Sequence, residues 1–226
     1  MKMNMINKVI HWIMSFLTMA FILFSSIRLL ITPIFLEWEY NKPSFPEDKY
    51  GFTTEDRLFY ARYAVNYLIN NEDITYLSNL KFDNGEQLFN DRELSHMLDV
   101  KVLVKLMHKI WIITTIIIVS YLIFLITKKN FHEIFFILER SSYLTFGFIG
   151  FIIVSLSISF SALFTGFHKI FFEDDTWIFL YSDSLIRLFP MKFWQDAFIS
   201  IGIISIIFSI LFIGTSRIYK MKTKIS

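Results

Sequence analysis

Two of the five histidines in this 226-residue chain stand where an imidazole could exchange protons at the edge of an apolar stretch. His96 lies in the polar run before one such stretch, and His168 lies just past the end of another. An imidazole titrates near neutral pH, so a pair of them can take a proton from one reacting group and give one to another. If residues 90–101 are helical, at ~100° per residue His96 and Asp99 lie about 60° apart on one face. Asp99 is then a candidate for orienting His96, and equally for a cap or a solvated acid. A zinc centre lacks a closely spaced third ligand, and with no cysteine in the chain there are no thiolate ligands. A Ser-His-Asp site built on Ser95 or a later serine lacks the strand-turn-helix setting of such nucleophiles. The plain alternative is two unrelated histidines at a membrane interface.

The elements that must carry these side chains are apolar helices. The chain is 54% hydrophobic and 19% aromatic, with a net charge of only +2. That is more apolar surface than a soluble domain of this length needs. Residues 9–31, 102–127, 143–165 and 198–215 each meet the ~20 mostly apolar residues of a bilayer-spanning helix. The fold class expected is therefore mainly α: a polytopic membrane protein, residues 1–226 forming one integral membrane domain of four transmembrane helices. A small extracytoplasmic cap, 32–101, falls between spans one and two, and an extracytoplasmic aromatic interfacial loop covers 166–194. The first span reads as an uncleaved anchor, since its apolar run is longer than that of a signal peptide and no small-residue cleavage site follows. The small net charge supports no nucleic-acid partner. No Gly-rich phosphate loop is present, and no cofactor is called for.

Orientation follows from Lys and Arg in the short flanks. Lys2 and Lys8, then Lys128, Lys129 and Arg140, then Arg217, Lys220, Lys222 and Lys224 fall on one side of a four-span layout. That side is expected to be cytoplasmic, with both termini there and His96 and His168 at the outer leaflet. His11 and His132 then fall on the cytoplasmic side. Glu173, Asp174 and Asp175 are expected in a solvated outer loop.

Along the chain, Arg28 ends span one as a snorkelling side chain, and Trp38 and Tyr40 suit the interface. Thr53 to Asp56 starts a helix whose inward face is Leu58, Ala61, Val65, Leu68 and Ile69, ended by Asn70 and Asn71. Asp83-Asn84-Gly85 signals a hairpin turn. Asn90 with Glu93 resembles a capping box, and no Pro or Gly interrupts the chain from there to Thr127, so the polar start and the span form one helix. Lys101, Lys105 and His108 fall on roughly the opposite face from His96, in a snorkelling or lipid-facing stripe. Residues 131–138 read as an interfacial turn. Gly147, Gly150 and the serines Ser155, Ser157, Ser159 and Ser161 fit close helix packing in span three, and Gly166 is the expected helix stop. Residues 166–194 are dense in aromatics, and Pro190 precedes the last span.

The segments Ser95-His96-Met97-Leu98-Asp99-Val100-Lys101, Phe167-His168-Lys169-Ile170-Phe171-Phe172 and Phe189-Pro190-Met191-Lys192-Phe193-Trp194 resemble the bacterial lipoprotein intramolecular transacylase family. The four-span layout and long first external region resemble it as well. The resemblance implies a cell-membrane acyltransferase acting on a diacylglyceryl-modified lipoprotein among membrane lipid. It implies transfer of the sn-2 acyl chain to the α-amine of the lipidated N-terminal cysteine, giving a lyso-form lipoprotein. It also implies two catalytic histidines, which match His96 and His168. The residue types suit that reaction: the amine must lose a proton near its pKa of ~8 and the departing glycerol alkoxide must gain one. Amine and ester sit on one molecule, and holding the resulting ring in a reactive shape lowers the barrier by ~7–11 kcal/mol. The alternative function is a non-enzymatic membrane accessory or sensor protein with an extracytoplasmic cap.

Overall fold

The computed structural model describes residues 5–172 and 176–225. Glu173, Asp174 and Asp175, expected in a solvated loop, lie outside the described residues. Among the described residues eight helices follow in order: α1 Met5–Leu30, α2 Pro33–Tyr40, α3 Thr54–Ile69, α4 Thr75–Ser78, α5 Asp91–Thr127, α6 Phe131–Phe171, α7 Ser184–Leu188 and α8 Met191–Ile225. Four of them, α1, α5, α6 and α8, are long and apolar enough to cross a membrane. The mainly α, four-span reading holds. Each long helix runs past its apolar stretch because nothing in the flanking sequence stops it.

Three expectations about α6 are corrected. Residues 131–138 are not a separate interfacial turn but the first turns of the helix. Gly166 does not end it; the helix continues to Phe171, since one mid-helix glycine costs only about 1 kcal/mol. A break falls instead at Ser159, whose φ of −164° and ψ of 108° are extended. The Ser159 hydroxyl accepts the Ala162 N–H at 3.1 Å and so caps the helical segment that follows. The small residues do not mark tight packing either. A Cβ added at Gly147 or Gly150 meets nothing within 4 Å. The Ser155 and Ser157 hydroxyls donate to backbone carbonyls one turn back, at Phe151 and Ile153.

The chain forms two compact units. The first comprises Met1–Ile27, His108–Ile158 and Ser200–Ser226. Met14, Leu125 and Ile137 are its buried apolar cluster. Its helices are joined by polar ties of the kind apolar surroundings favour. The Trp111 indole N–H donates to Ser25 Oγ at 2.9 Å, and Ser205 donates to Ser26 at 2.9 Å. Ser216 donates to the Phe135 carbonyl at 2.6 Å, and Lys220 pairs with Glu139. His11, 2% exposed, lies 3.0 Å from Glu133. Many isoleucines of this unit point outward, among them Ile112, Ile116, Ile123, Ile203 and Ile210. Lipid is the solvent that accepts such a surface.

The second unit comprises Arg28–Met107 and Ser159–Ile199. Thr53 and Asp56 form the expected cap of α3, with both reciprocal bonds present. Ala61 and Val65 are buried as expected, but Ile69 is 48% exposed, and Ala64 and Tyr67 take the inward positions. The Asp83-Asn84-Gly85 turn is present: Phe82 N–H donates to the Glu86 carbonyl, Gly85 has a φ of +85°, and Lys81 bridges Gln87. Trp38 is exposed, as an interfacial ring should be, but Tyr40 is buried and its hydroxyl donates to the Leu188 carbonyl. Lys101 departs from the expected stripe. It is 4% exposed, its ammonium 3.7 Å above the Tyr67 ring, donating to Asn70 Oδ1 at 3.0 Å and to the Glu72 carbonyl at 2.5 Å. It satisfies acceptors at the C-terminal end of α3, a stronger demand than solvation.

Asp48 and Arg187 join the loop before α3 to α7. Arg187 reaches the Asp48 carboxylate at 3.0 Å with its guanidinium over the Phe52 ring, and both side chains are nearly buried. Burial alone would raise the Asp48 carboxyl, but hydrogen bonds from Arg187 and from the Phe52 and Tyr50 N–H groups outweigh it, so the group titrates below the usual carboxylate range. A depressed carboxyl stabilises the fold above its unfolded pKa of ~4 and loses that contribution as pH falls through the lower folded value. Asp48→Asn strands the guanidinium and is expected to cost about 3 kcal/mol at pH 7. The gap from the parent should narrow below pH ~4, as read by thermal unfolding of the detergent-solubilised protein across pH.

Candidate active site

His96 is placed by the first turns of α5. Asn90 Oδ1 accepts the Glu93 N–H at 3.0 Å, and Glu93 Oε2 accepts the Asn90 N–H at 2.8 Å, closing the expected capping box. The other Glu93 oxygen accepts the Leu185 N–H of α7 at 2.6 Å. Glu93 is 1% exposed, so this carboxylate holds the start of α5 against α7 from a buried position. Taking Glu93 as reference, Met97 lies at about +40°, Lys101 at about +80° and His96 at about −60°, all within one buried arc. Asp99 lies at about −120°, outside that arc, and is exposed.

His168 sits in the last turn of α6. Its Nδ1 lies 2.8 Å from the Phe164 carbonyl oxygen. A carbonyl cannot donate, so Nδ1 carries the proton and Nε2 of the neutral ring presents a lone pair.

These two helix ends bring the rings together. The imidazole centroids are 5.9 Å apart with planes 23° from parallel. His96 is 7% exposed and His168 8%. Phe172 packs on both, at 4.9 Å from His96 and 5.4 Å from His168. Phe179 adds a contact to His96 at 5.4 Å, and Trp177 and Phe164 contact His168 at 4.9 Å and 4.2 Å. Two imidazolium charges at this separation repel by about 3 kcal/mol at an effective dielectric of 20. Burial works in the same direction: it lowers His96 to a pKa of about 4, with His168 adding to the shift, and lowers His168 as well, so both rings favour the neutral form. Buried His96 Nδ1 has no hydrogen-bond partner among the described residues. An open imidazole nitrogen in an aromatic box is a place where a reacting group can dock.

The other candidates are not gathered here. Asp99 makes no hydrogen bond to His96 Nδ1. Ser95 is exposed, like Asp99, while His96 is buried, so Ser95, His96 and Asp99 do not form a triad. Arg28 is exposed in the last turn of α1. Sequence reasoning missed Glu93 as the tie to α7, because a capping-box glutamate does not announce a second, long-range partner. It also missed which aromatics line the pair, although their density across 166–194 was the available signal.

Fold and site together define a four-span helical membrane protein with a buried histidine pair. The family model of the lipoprotein intramolecular transacylase Lit matches residues 12–194, a stretch that includes both histidines. This chain belongs to the lipoprotein intramolecular transacylase family and is thereby an acyltransferase. An uncharacterized protein of Aquifex aeolicus (strain VF5) is 31% identical over 202 residues, covering 86% of this chain and 87% of that protein. The in meso structure of the membrane-integral lipoprotein intramolecular transacylase Lit from Bacillus cereus has the same fold, with a TM-score of 0.69 at 22% identity over 98% of this chain and 99% of that one. A variant of the Bacillus cereus protein with one histidine changed to alanine matches at a TM-score of 0.63 and 21% identity, over 98% and 96%.

The Glu93 tie generates a direct expectation. Glu93→Ala removes a cap acceptor and leaves the buried Leu185 N–H unpaired, for a loss of about 2 kcal/mol. Glu93→Gln keeps an acceptor for that N–H and should lose less than half as much in the same unfolding measurement.

Proposed function

We infer that this protein moves the sn-2 acyl chain of a diacylglyceryl-modified lipoprotein to the α-amine of its lipidated N-terminal cysteine, leaving a lyso-form lipoprotein, with His96 and His168 as the catalytic pair. The observation that carries this reading is the imidazole pair itself: two rings 5.9 Å apart, buried, and delivered by the ends of two different long helices. The family supplies the reaction class, and the pair supplies its proton chemistry.

His168, with its Nδ1 proton committed to the Phe164 carbonyl, offers Nε2 as the base. The neutral substrate amine attacks the ester carbonyl; the N–C bond forms, and His168 Nε2 takes the amine proton. As the ester C–O bond breaks, the pair hands that proton on to the glycerol alkoxide. Both rings start and end neutral, so no acyl-enzyme and no external acid are required. Asp99 is exposed and not bonded to His96 Nδ1, so no orienting role is assigned to it. The aromatic walls keep water from competing with the amine for the ester. The Lys and Arg flanks support an orientation with both termini in the cytoplasm and the pair at the outer leaflet of the bacterial cell membrane, where such substrates reside.

Expression in a host that otherwise makes only diacyl lipoproteins tests this. Mass spectrometry of a reporter lipoprotein should find one acyl chain on the amine and one on the glycerol. His96→Ala and His168→Ala should each lower that product at least about 100-fold with protein still present in the membrane. Full product from either variant excludes that histidine from the proton transfers.

A further inference from the structure

We propose that a trough in the second unit, running from the 81–87 hairpin to Glu93, binds the polypeptide of the substrate in extended form just downstream of its lipidated cysteine. It rests on the reading of the substrate as a lipidated polypeptide. Two adjoining clefts make up the trough, of about 420 and about 400 Å³, and they share Tyr50, Phe82, Glu86 and Arg187 as walls. The second cleft reaches Asn90 and Glu93 at the start of α5. Glu93 lies one helical turn before His96, a side-chain spacing of about 5–6 Å. A substrate whose amine sits at the imidazole pair must send the rest of its chain away from the pair, and this trough begins one turn from it.

The hairpin has the backbone chemistry to receive an extended chain. Phe82 N–H donates to the Glu86 carbonyl and Leu88 N–H to the Leu80 carbonyl, on either side of the Lys81–Gln87 bridge. That pattern makes Lys81 and Gln87 a non-hydrogen-bonded pair, whose own N–H and C=O groups point away from each other's strand. Gln87 lines the second cleft, so its outward backbone groups offer a short edge for strand addition. Tyr50 and Phe82 line the same cleft, and aromatic walls tolerate varied side chains. This suits an enzyme that must accept many lipoproteins through one lipid-bearing residue.

Charge sets the preference. Arg187 is the cation of the trough, and Asp48 already pairs with it at 3.0 Å. Asp56, Asp83, Glu86 and Asp183 then leave the walls electronegative. Segments bearing Lys or Arg fit, and segments bearing Asp or Glu are repelled.

Binding to the full-length protein in detergent, read by fluorescence anisotropy, tests the trough with three probes. One is diacylglyceryl-cysteine amide; the second extends it by about seven Ser and Lys residues; the third replaces those lysines with glutamates. The Lys-bearing lipopeptide should bind about tenfold more tightly than the amide, and the Glu-bearing one no better than the amide. Glu86 is exposed, so Glu86→Lys leaves the fold intact; it should erase the tenfold advantage while leaving binding of the amide unchanged. Equal affinity for amide and Lys-bearing lipopeptide, or equal loss for both in Glu86→Lys, overturns the trough. If the length and charge dependence appear but no lipopeptide undergoes acyl transfer, the trough stands and the transacylation reading falls. If transfer proceeds equally with every probe and affinities are equal, the reverse holds.

Discussion

A buried carboxylate organises the site. Glu93 accepts the Asn90 N–H at the start of α5 and the Leu185 N–H at the start of α7, so one side chain satisfies two backbone donors from segments ninety-odd positions apart. Both bonds are charge-assisted and shielded from water, where such bonds are worth most. Because α5 is continuous through His96, fixing its first turn fixes the azimuth of that ring. Because α7 follows the segment carrying Trp177 and Phe179, the same anchor holds the aromatic wall near the rings.

The histidine pair is then a consequence of two helix ends meeting in an aromatic setting. The rings are close enough to compete for one proton, and the Phe164 carbonyl settles the tautomer of one of them. An imidazole pair kept neutral by burial has the chemistry to take a proton from one group and hand it to another. Nothing in this arrangement demands a covalent intermediate, and a chain without cysteine has no thiol to form one.

Outside the site, the second unit combines apolar packing with buried charge pairs: Asp48 with Arg187, and Glu39 and Asp196 bridged by Lys42. Such pairs contribute little net stability compared with apolar packing, but each is costly to break on one side only. They lock particular loops to particular helices, which a few exchangeable apolar contacts would not do. The long helices of the first unit have apolar surface to spare, and they use hydroxyls and an indole N–H as connectors.

What the sequence determined by itself were the features governed by local rules. Four apolar runs imply four long helices because a bilayer leaves a backbone no other way to pair its own polar groups. The capping boxes at Thr53 and Asn90 and the turn at Gly85 were legible for the same reason, since each partner lies within a few residues of the other. The two histidines stood out by position and by resemblance. Only the tertiary structure decided which neighbours they face. Lys101 was read as lipid-facing and is buried, because the acceptors at the end of α3 arrive from thirty residues away. Tyr40 was read as interfacial and is buried, because Leu188 supplies its acceptor. Asp99 and His96 share a face by spacing, yet the edge of the buried arc passes between them, and helical periodicity alone cannot say where that edge falls. Local rules fix where a side chain leaves its helix; what it meets there depends on segments that the same rules place independently.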